Sequence, residues 1–186
     1  MLELVKSLHK ICEELRDASE ITEEQFQIID FLSDYGPVII SGKLEGRELM
    51  KTFLDVYLLD DSLEDDLRTI INLKDGWAGD TDKKENISEE CFTLTLFVLM
   101  ILLSTGATPY CAIPSPMMDI NLKFKTSDNH KGYTLSIKDD LEKLYWTDRQ
   151  SCKVEQIGVT SLVSMLKTQL HIEISPYTTE LSRYGV

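Results

Sequence analysis

The fold is decided by residues 73–103, which read LKDGWAGDTDKKENISEECFTLTLFVLMILL. This stretch begins with a turn in which Gly76 and Gly79 flank Trp77 and Ala78. Glycine accepts the positive φ and the close backbone approach that tight turns need. A tryptophan in such a turn packs its ring into a groove of the protein. The pattern therefore predicts that Trp77 anchors this turn to the body of the fold.

The same stretch ends in the longest apolar run of the chain, residues 91–103, which only Thr93 and Thr95 interrupt. A helix needs about 20 apolar residues to span a bilayer, so this run is too short to do so. Serine is a preferred capping residue for the first turn of a helix, and Ser88 lies just before the run. We expect a buried core helix that begins near Ser88 and ends near Gly106.

Beyond this helix the apolar residues alternate with polar ones, which is the spacing of strands. Residues 119–125 and 133–138 predict a hairpin, and residues 141–146 predict a third strand. Residues 152–157 are either a fourth strand or the lead into a last helix that begins near residue 160. Prolines are excluded from helix interiors, and three of them predict an extended segment at 110–116: Pro109, Pro114 and Pro116.

Four upstream segments have the apolar spacing of amphipathic helices: residues 4–15, 22–35, 44–59 and 62–71. The chain is therefore predicted to be α+β, with an N-terminal helical lobe followed by a core helix packed on a three- to four-stranded antiparallel sheet. We predict an acidic helical lobe over residues 1–72. Residues 73–186 then form an α+β body with the tryptophan turn, the core helix, the sheet meander and a C-terminal helix.

The charge of the chain is strongly negative and unevenly distributed. The formal net charge is −13, and residues 1–70 hold 17 Asp and Glu against 7 Lys and Arg. Binding to a phosphate backbone depends on Lys and Arg, so this composition disfavours nucleic acid as a partner. An acidic surface steers toward a basic protein surface. Five carboxylates are the candidate partner-binding residues: Glu13, Glu14, Asp17, Glu23 and Glu24.

The order of these motifs resembles a set of small bacterial and phage proteins, mostly uncharacterised and often encoded on mobile elements. Proteins of that set carry a GWDG loop, an IS-x-E helix start, an apolar helix, a P-x-x-x-P segment and a short sheet meander. The resemblance covers about residues 73–170, with Ala78 standing where that set has an acidic residue. The matching positions are residues 73–79, 87–90, 109, 114, 116, 120–122 and 135–137. The resemblance implies the fold and a mobile-element setting, and it assigns no activity.

No catalytic, cofactor or metal-binding motif is recognisable in the sequence. The three histidines fall in different predicted elements, no CxxC pair occurs, and the Walker A, GxGxxG and GxSxG patterns are missing. We therefore predict that the protein is not an enzyme and uses no metal and no cofactor. Four dispersed cysteines and the lack of a basic and then apolar leader predict reduced thiols, a cytoplasmic location and no membrane partner.

Three hypotheses for function follow. The preferred one is a non-enzymatic protein-interaction module, an inhibitor or antitoxin-like protein of a phage or mobile element, whose acidic lobe binds a basic partner. The alternative is a small-ligand or nucleotide-binding sensor or enzyme, with a pocket between the sheet and the helical lobe. Three residues would line its mouth: Asp75, Trp77 and Tyr145. The third hypothesis is a homodimer formed through the apolar stripe of residues 4–15.

Overall fold

In the computed structural model of the chain, structure is described for Phe31 and for residues 45–57, 59–78, 86–104, 107–125, 132–138, 144–148 and 154–157. Within these ranges the helices are α1 (Gly46–Val56), α2 (Asp61–Ile71) and α3 (Glu89–Ser104). The strands are β1 (Thr108–Pro114), β2 (Ile120–Lys125), β3 (Gly132–Ile137), β4 (Leu144–Asp148) and β5 (Val154–Ile157). The α+β class is therefore confirmed.

Several sequence predictions fall outside the described residues. These are the helix at 4–15 with its homodimer stripe, the helix at 22–35 apart from Phe31, and the C-terminal helix after residue 160. The five candidate partner-binding carboxylates also lie there: Glu13, Glu14, Asp17, Glu23 and Glu24.

The strands form one antiparallel meander in the order β1-β2-β3-β4-β5. The predicted hairpin is confirmed, because β2 pairs with β3 in a register that sets Leu122 opposite Leu135. Alternation along both strands puts their apolar residues on one face of the sheet. Six side chains of this face are buried, as the sequence predicted: Ile120, Leu122, Phe124, Tyr133, Leu135 and Ile137.

The sheet has five strands within the described residues, where three to four were expected. The additional strand is the proline-rich segment, which the sequence predicts only to be extended and which pairs with β2 as β1. Proline is tolerated on an edge strand and at a bulge. β1 lies at one end of the strand order, and its register shifts between Pro109 and Cys111. The chain from residue 154 to 157 is a strand, β5, which resolves the alternative left open by the sequence.

Helix α3 is apolar on almost its whole circumference, and the packing explains why. Cys91 on one side reaches the sheet, where its Sγ donates a hydrogen bond to the carbonyl oxygen of Ile137 over 3.2 Å. Gly46 of α1 lies against the opposite side, close to Thr93. The predicted cap is confirmed by a 3.1 Å bond from the Cys91 amide to the Ser88 hydroxyl. Of the described helices, none combines the length and the apolar character needed to cross a membrane.

Helix α2 covers the outer edge of β1. Its Asp66 side chain accepts a hydrogen bond from the backbone amide of Ala112 over 3.0 Å. An edge strand exposes unpaired backbone groups that attract other strands, and proteins cover such edges. The helix begins at Asp61, one residue before the predicted segment of 62–71. Asp60 is its N-cap, because the Asp60 carboxylate accepts a hydrogen bond from the Ser62 amide.

Helices α1 and α2 share a single buried cluster with α3 and the sheet. In that cluster Phe53 packs edge-on against Phe31 and stacks on Tyr57, with ring centroids 5.1 and 4.8 Å apart. The described parts of the predicted lobe at 45–57 and 59–72 thus pack into the same core as the predicted body. The division of the chain at residue 72 stays a prediction.

Candidate functional site

Four segments of the chain meet near the amino-terminal end of α3. They are the first turn of α1, the turn after α2, residues 86–88, and the end of the sheet where β2 begins and β3 ends. The contacts that join them come from a few polar side chains and one glycine. This end of the molecule also contains the buried polar groups that the fold leaves unpaired.

Arg47 in the first turn of α1 connects three of these segments. Its guanidinium donates to the carbonyl oxygens of Ile71 at 2.7 Å and of Leu73 and Ile87 at 3.3 Å each. Its Nε lies 3.3 Å from the Glu89 carboxylate. Arginine suits this position because its planar group carries five donors in a fixed fork. One side chain therefore fastens the end of α2, the start of the Trp77 turn and the entry to α3.

The arginine is also held over an aromatic face. Its guanidinium carbon lies 4.6 Å from the ring centroid of Phe92, which is the distance of a cation–π contact. With 24% of the Arg47 side chain exposed, its charge is half-buried and balanced by Glu89. These bonds account for most of the donor capacity of Arg47, so we assign it a structural role.

Gly46 allows α1 to approach α3 this closely. A Cβ at this position would lie 2.0 Å from the carbonyl oxygen of Glu89 and 2.5 Å from the Thr93 hydroxyl. Real Cβ atoms do not come so close to other heavy atoms, so only glycine fits here. The sequence hints weakly at this close contact, because glycine is unfavourable within a helix and Gly46 lies in the first turn of α1.

The Trp77 turn has the backbone that its sequence predicts. Gly76 has a φ of 75°, and the Trp77 amide donates to the carbonyl oxygen of Lys74 over 3.1 Å. The partly buried indole packs against the core, which confirms the interpretation of Trp77 as an anchor. Asn86 closes the turn from the other side by donating to Leu73 and to the Asp75 carboxylate, each over 3.2 Å.

The three candidate ligand-binding residues do not form one described cluster. Asp75 and Trp77 share the turn, with Asp75 exposed and bonded to Asn86. Tyr145 lies on β4, opposite Ser136 of β3. The pocket that these three residues would line stays a prediction.

The β1–β2 turn contains a residue that sequence reasoning places wrongly. Alternation along 119–125 puts Asp119 on the polar face with Asn121, yet Asp119 is 5% exposed. The preceding Met118 has a φ of 62°, in the left-handed region that few non-glycine residues adopt. Asp119 therefore belongs to the turn rather than to the strand, and the turn directs it inward.

Two buried side-chain atoms of the described residues lack a hydrogen-bond partner, namely Nε1 of Trp77 and Oδ1 of Asp119. A buried polar atom left unpaired costs about 1–3 kcal/mol, and more when the group is charged. Native proteins therefore keep few such atoms, and each requires an explanation.

The outward surface of α1 and α2 is acidic. Both arginines of these helices are bonded within the protein, and Arg68 pairs with Glu64 at 2.7 Å and with Asp55 at 3.0 Å. The Glu64 and Asp55 carboxylates raise the pKa of Arg68. The exposed carboxylates around these helices, here called the acidic surface, are Glu45, Glu48, Asp55, Asp60, Asp61 and Asp65.

Within the described ranges no three His, Cys, Asp or Glu side chains are grouped so as to hold a metal ion. Comparison with protein-family models, with curated proteins and with solved structures gives no match to this chain.

Proposed function

We propose that the protein is a non-enzymatic interaction module whose acidic helical surface binds a basic region of a protein partner. The observation that carries this proposal is the acidic surface of α1 and α2. The one lysine of these two helices is Lys51, and their two arginines, Arg47 and Arg68, form ion pairs with carboxylates of the protein. Carboxylates arranged this way attract basic partners and raise the rate of encounter.

An exposed apolar side chain lies beside these carboxylates and supports the same proposal. Val56 at the end of α1 is 56% exposed, and its sequence neighbours include Asp55 and Asp60. Protein interfaces combine an apolar centre with a polar rim. A basic segment with one apolar residue would complement Val56 and the acidic surface. The five N-terminal carboxylates that the sequence predicts to bind the partner have the same sign of charge.

The proposal keeps the setting expected from the sequence: a cytoplasmic inhibitor or antitoxin-like protein of a phage or mobile element, acting without a cofactor. The homodimer stays a separate prediction, which sedimentation of the purified chain tests. The alternative of a sensor or enzyme with a pocket at Asp75, Trp77 and Tyr145 also stays a prediction, tested by a thermal-shift screen with nucleotides and divalent ions.

The decisive test compares exposed carboxylates at two places. The probe is a fluorescent peptide rich in Lys and Arg, and its affinity for the full chain is measured at low and high salt. We expect Asp61→Asn together with Asp65→Asn to weaken binding several-fold and to reduce its salt dependence. The matched control pair is Asp65→Asn against Glu90→Gln, because each removes one exposed carboxylate and Glu90 lies on α3.

If the surface is the binding site, Asp65→Asn weakens binding more than Glu90→Gln does. Equal losses would mean that the peptide responds only to the total charge, and this result would refute the proposed surface. Affinity capture from host cells with the wild-type chain and the double variant in parallel then identifies the partner, as a protein retained at low salt by the wild type alone.

A further inference from the structure

Trp77 and Asp119 each end in a buried atom that makes no hydrogen bond to the rest of the described structure. The two atoms are chemically complementary. Indole Nε1–H is only a donor, and an ionised carboxylate is only an acceptor. A single small molecule that accepts a hydrogen bond at one atom and donates one from another would satisfy both.

The topology brings both residues to the same end of the molecule. Asp119 comes immediately before Ile120, which pairs with Ile137 at the end of β3. The carbonyl of Ile137 accepts from Cys91 in the first turn of α3. The sheet end that contains Asp119 therefore lies at the amino-terminal end of that helix.

The Trp77 turn reaches the same helix end by a different route. Asn86, three residues before α3, donates to the carbonyl oxygen of Leu73 at the start of the turn. Arg47 binds the carbonyl oxygens of both Leu73 and Ile87. The α2 helix also approaches from this direction, since Asp66 bonds to β1 at Ala112 and the helix continues toward the turn.

A second feature of Asp119 is independent of its missing partner. The backbone of the turn is held in place by hydrogen bonds from the Ser115 amide to the Asp119 carbonyl and from the Met118 amide to the Ser115 carbonyl, both 2.9 Å. Met118 has a φ of 62° in this arrangement. Strained backbone conformations persist where the surrounding structure enforces them, and they concentrate at functional sites. Here the strained residue directly precedes the buried carboxylate.

The charge at Asp119 indicates what the ligand carries. The ion pairs of the described residues use Arg47 and Arg68, and neither pairs with Asp119. Buried carboxylates are paired or hydrogen-bonded in native proteins. A protonated amine supplies both the opposite charge and the N–H donors.

We propose that Trp77 and Asp119 together bind a small molecule in which a protonated amine lies next to an oxygen acceptor. Asp119 binds the ammonium group, and the indole N–H of Trp77 donates to the oxygen. Free α-amino acids and their amides have this chemistry. The proposal is independent of the acidic surface.

The test is a thermal-shift screen of the full chain with free amino acids and amino-acid amides, followed by calorimetric titration of those that raise the melting temperature. Two further probe sets examine each half of the contact. N-acetylated amino acids lack the charged amine, and simple alkylamines lack the oxygen. We expect stabilisation by at least one amino acid or amide and by neither of the two incomplete sets.

Substitutions of Asp119 and Trp77 test the contribution of each residue to binding. Loss of one charge-assisted hydrogen bond weakens binding by about tenfold or more, which is the expectation for Asp119→Asn. Trp77→Phe keeps the ring and removes the N–H, so we expect a smaller loss. Glu90→Gln changes an exposed carboxylate outside both turns and is expected to leave the affinity unchanged.

The inference is overturned if no complete probe stabilises the wild-type chain, or if the incomplete probes do so equally well. It is also overturned if Asp119→Asn binds as tightly as the wild type. If Asp119→Asn does not fold, Trp77→Phe and the N-acetylated probes still decide the outcome.

Discussion

Arg47 and Glu89 are joined by two hydrogen bonds of different origin. The backbone amide of Arg47 donates to one carboxylate oxygen at 2.7 Å, and its Nε lies 3.3 Å from the other. The first turn of a helix has unpaired amides that a local side chain usually caps. At α1 the N-cap residue, Glu45, makes no such bond. The carboxylate of Glu89, 42 positions along the chain, caps this helix and so ties it to α3.

Replacing Arg47 should destabilise the protein more than any exposed substitution on α1. Arg47→Ala removes the bond from Nε to Glu89 and leaves the carbonyls of Ile71 and Ile87 unpaired, for which we expect a loss of about 1.5–3 kcal/mol. Arg47→Lys keeps the charge but lacks the forked donors of arginine, so its stability should lie between that of the wild type and that of Arg47→Ala. The measurement is urea unfolding with Lys51→Ala as the exposed control. Equal midpoints for Arg47→Ala and Lys51→Ala would rule out the connecting role of Arg47.

Gly46→Ala tests the close approach of α1 to α3, because helix propensity predicts a gain in stability and overpacking predicts a loss. Alanine in place of glycine within a helix stabilises by about 0.5–1 kcal/mol when nothing obstructs it. Here the added Cβ would meet the Glu89 carbonyl at 2.0 Å. Overpacking of this kind costs about 1–3 kcal/mol. Thermal unfolding should therefore show a lower melting temperature, and a higher one would mean that the two helices are further apart.

Most of the described fold could be predicted from the sequence, because its signals are local. Two-residue alternation identifies the β2–β3 hairpin, and the apolar run after Ser88 identifies α3 as a buried helix. The strand pairing of β1 could not be predicted in the same way. Prolines there argue only for an extended backbone, and the choice of a sheet edge depends on α2 packing beside it.

The polar contacts at the end of α3 could not be predicted, since each joins residues far apart in the chain. Arg47 has no pattern that reveals carbonyl partners 24 to 40 positions away. Asp119 continues a regular alternation, and only the positive φ of Met118 takes it out of the strand pattern. Trp77 was recognisable as the anchor of its turn, because a glycine turn and a large ring are local features.

Asp66 should protect the edge of β1 through its bond to the Ala112 amide. Asp66→Ala removes the acceptor, so we expect faster hydrogen exchange at Ala112. Asp66→Asn retains an oxygen in the same place and should restore most of the protection. Asp65→Ala, an exposed neighbour on the same helix, is the control. If exchange at Ala112 is the same in both alanine variants, α2 does not cover this edge.

The N-cap of α2 makes stability depend on pH in the acid range. The pKa of Asp60 is lowered by hydrogen bonds from the Ser62 hydroxyl and then from the Ser62 amide. A carboxyl group with a lowered folded-state pKa stabilises the fold above its unfolded-state pKa, and this contribution disappears as the pH falls through the folded value. The loss therefore occurs below the ordinary value for aspartate, about 3.9.

Unfolding measured from neutral to acidic pH should reveal this contribution of Asp60. Asp60→Asn, which still caps the helix, should lose less stability on acidification than the wild type does. Asp60→Ala should be less stable than the wild type at neutral pH. Asp61→Asn, which alters a neighbouring exposed carboxylate, should keep the acid response of the wild type. An unchanged acid response in Asp60→Asn would exclude the Ser62 contacts as its cause.

The central structural claim is that α1 lies directly against the first turns of α3, which brings a predicted lobe helix into the common core. The most direct measurement is a proton NOE in solution between the Hα atoms of Gly46 and the backbone amide of Thr93, the atom that a Cβ on Gly46 would approach to 2.8 Å. We expect a strong cross-peak that persists in Lys51→Ala. A well-assigned spectrum without this cross-peak would contradict it.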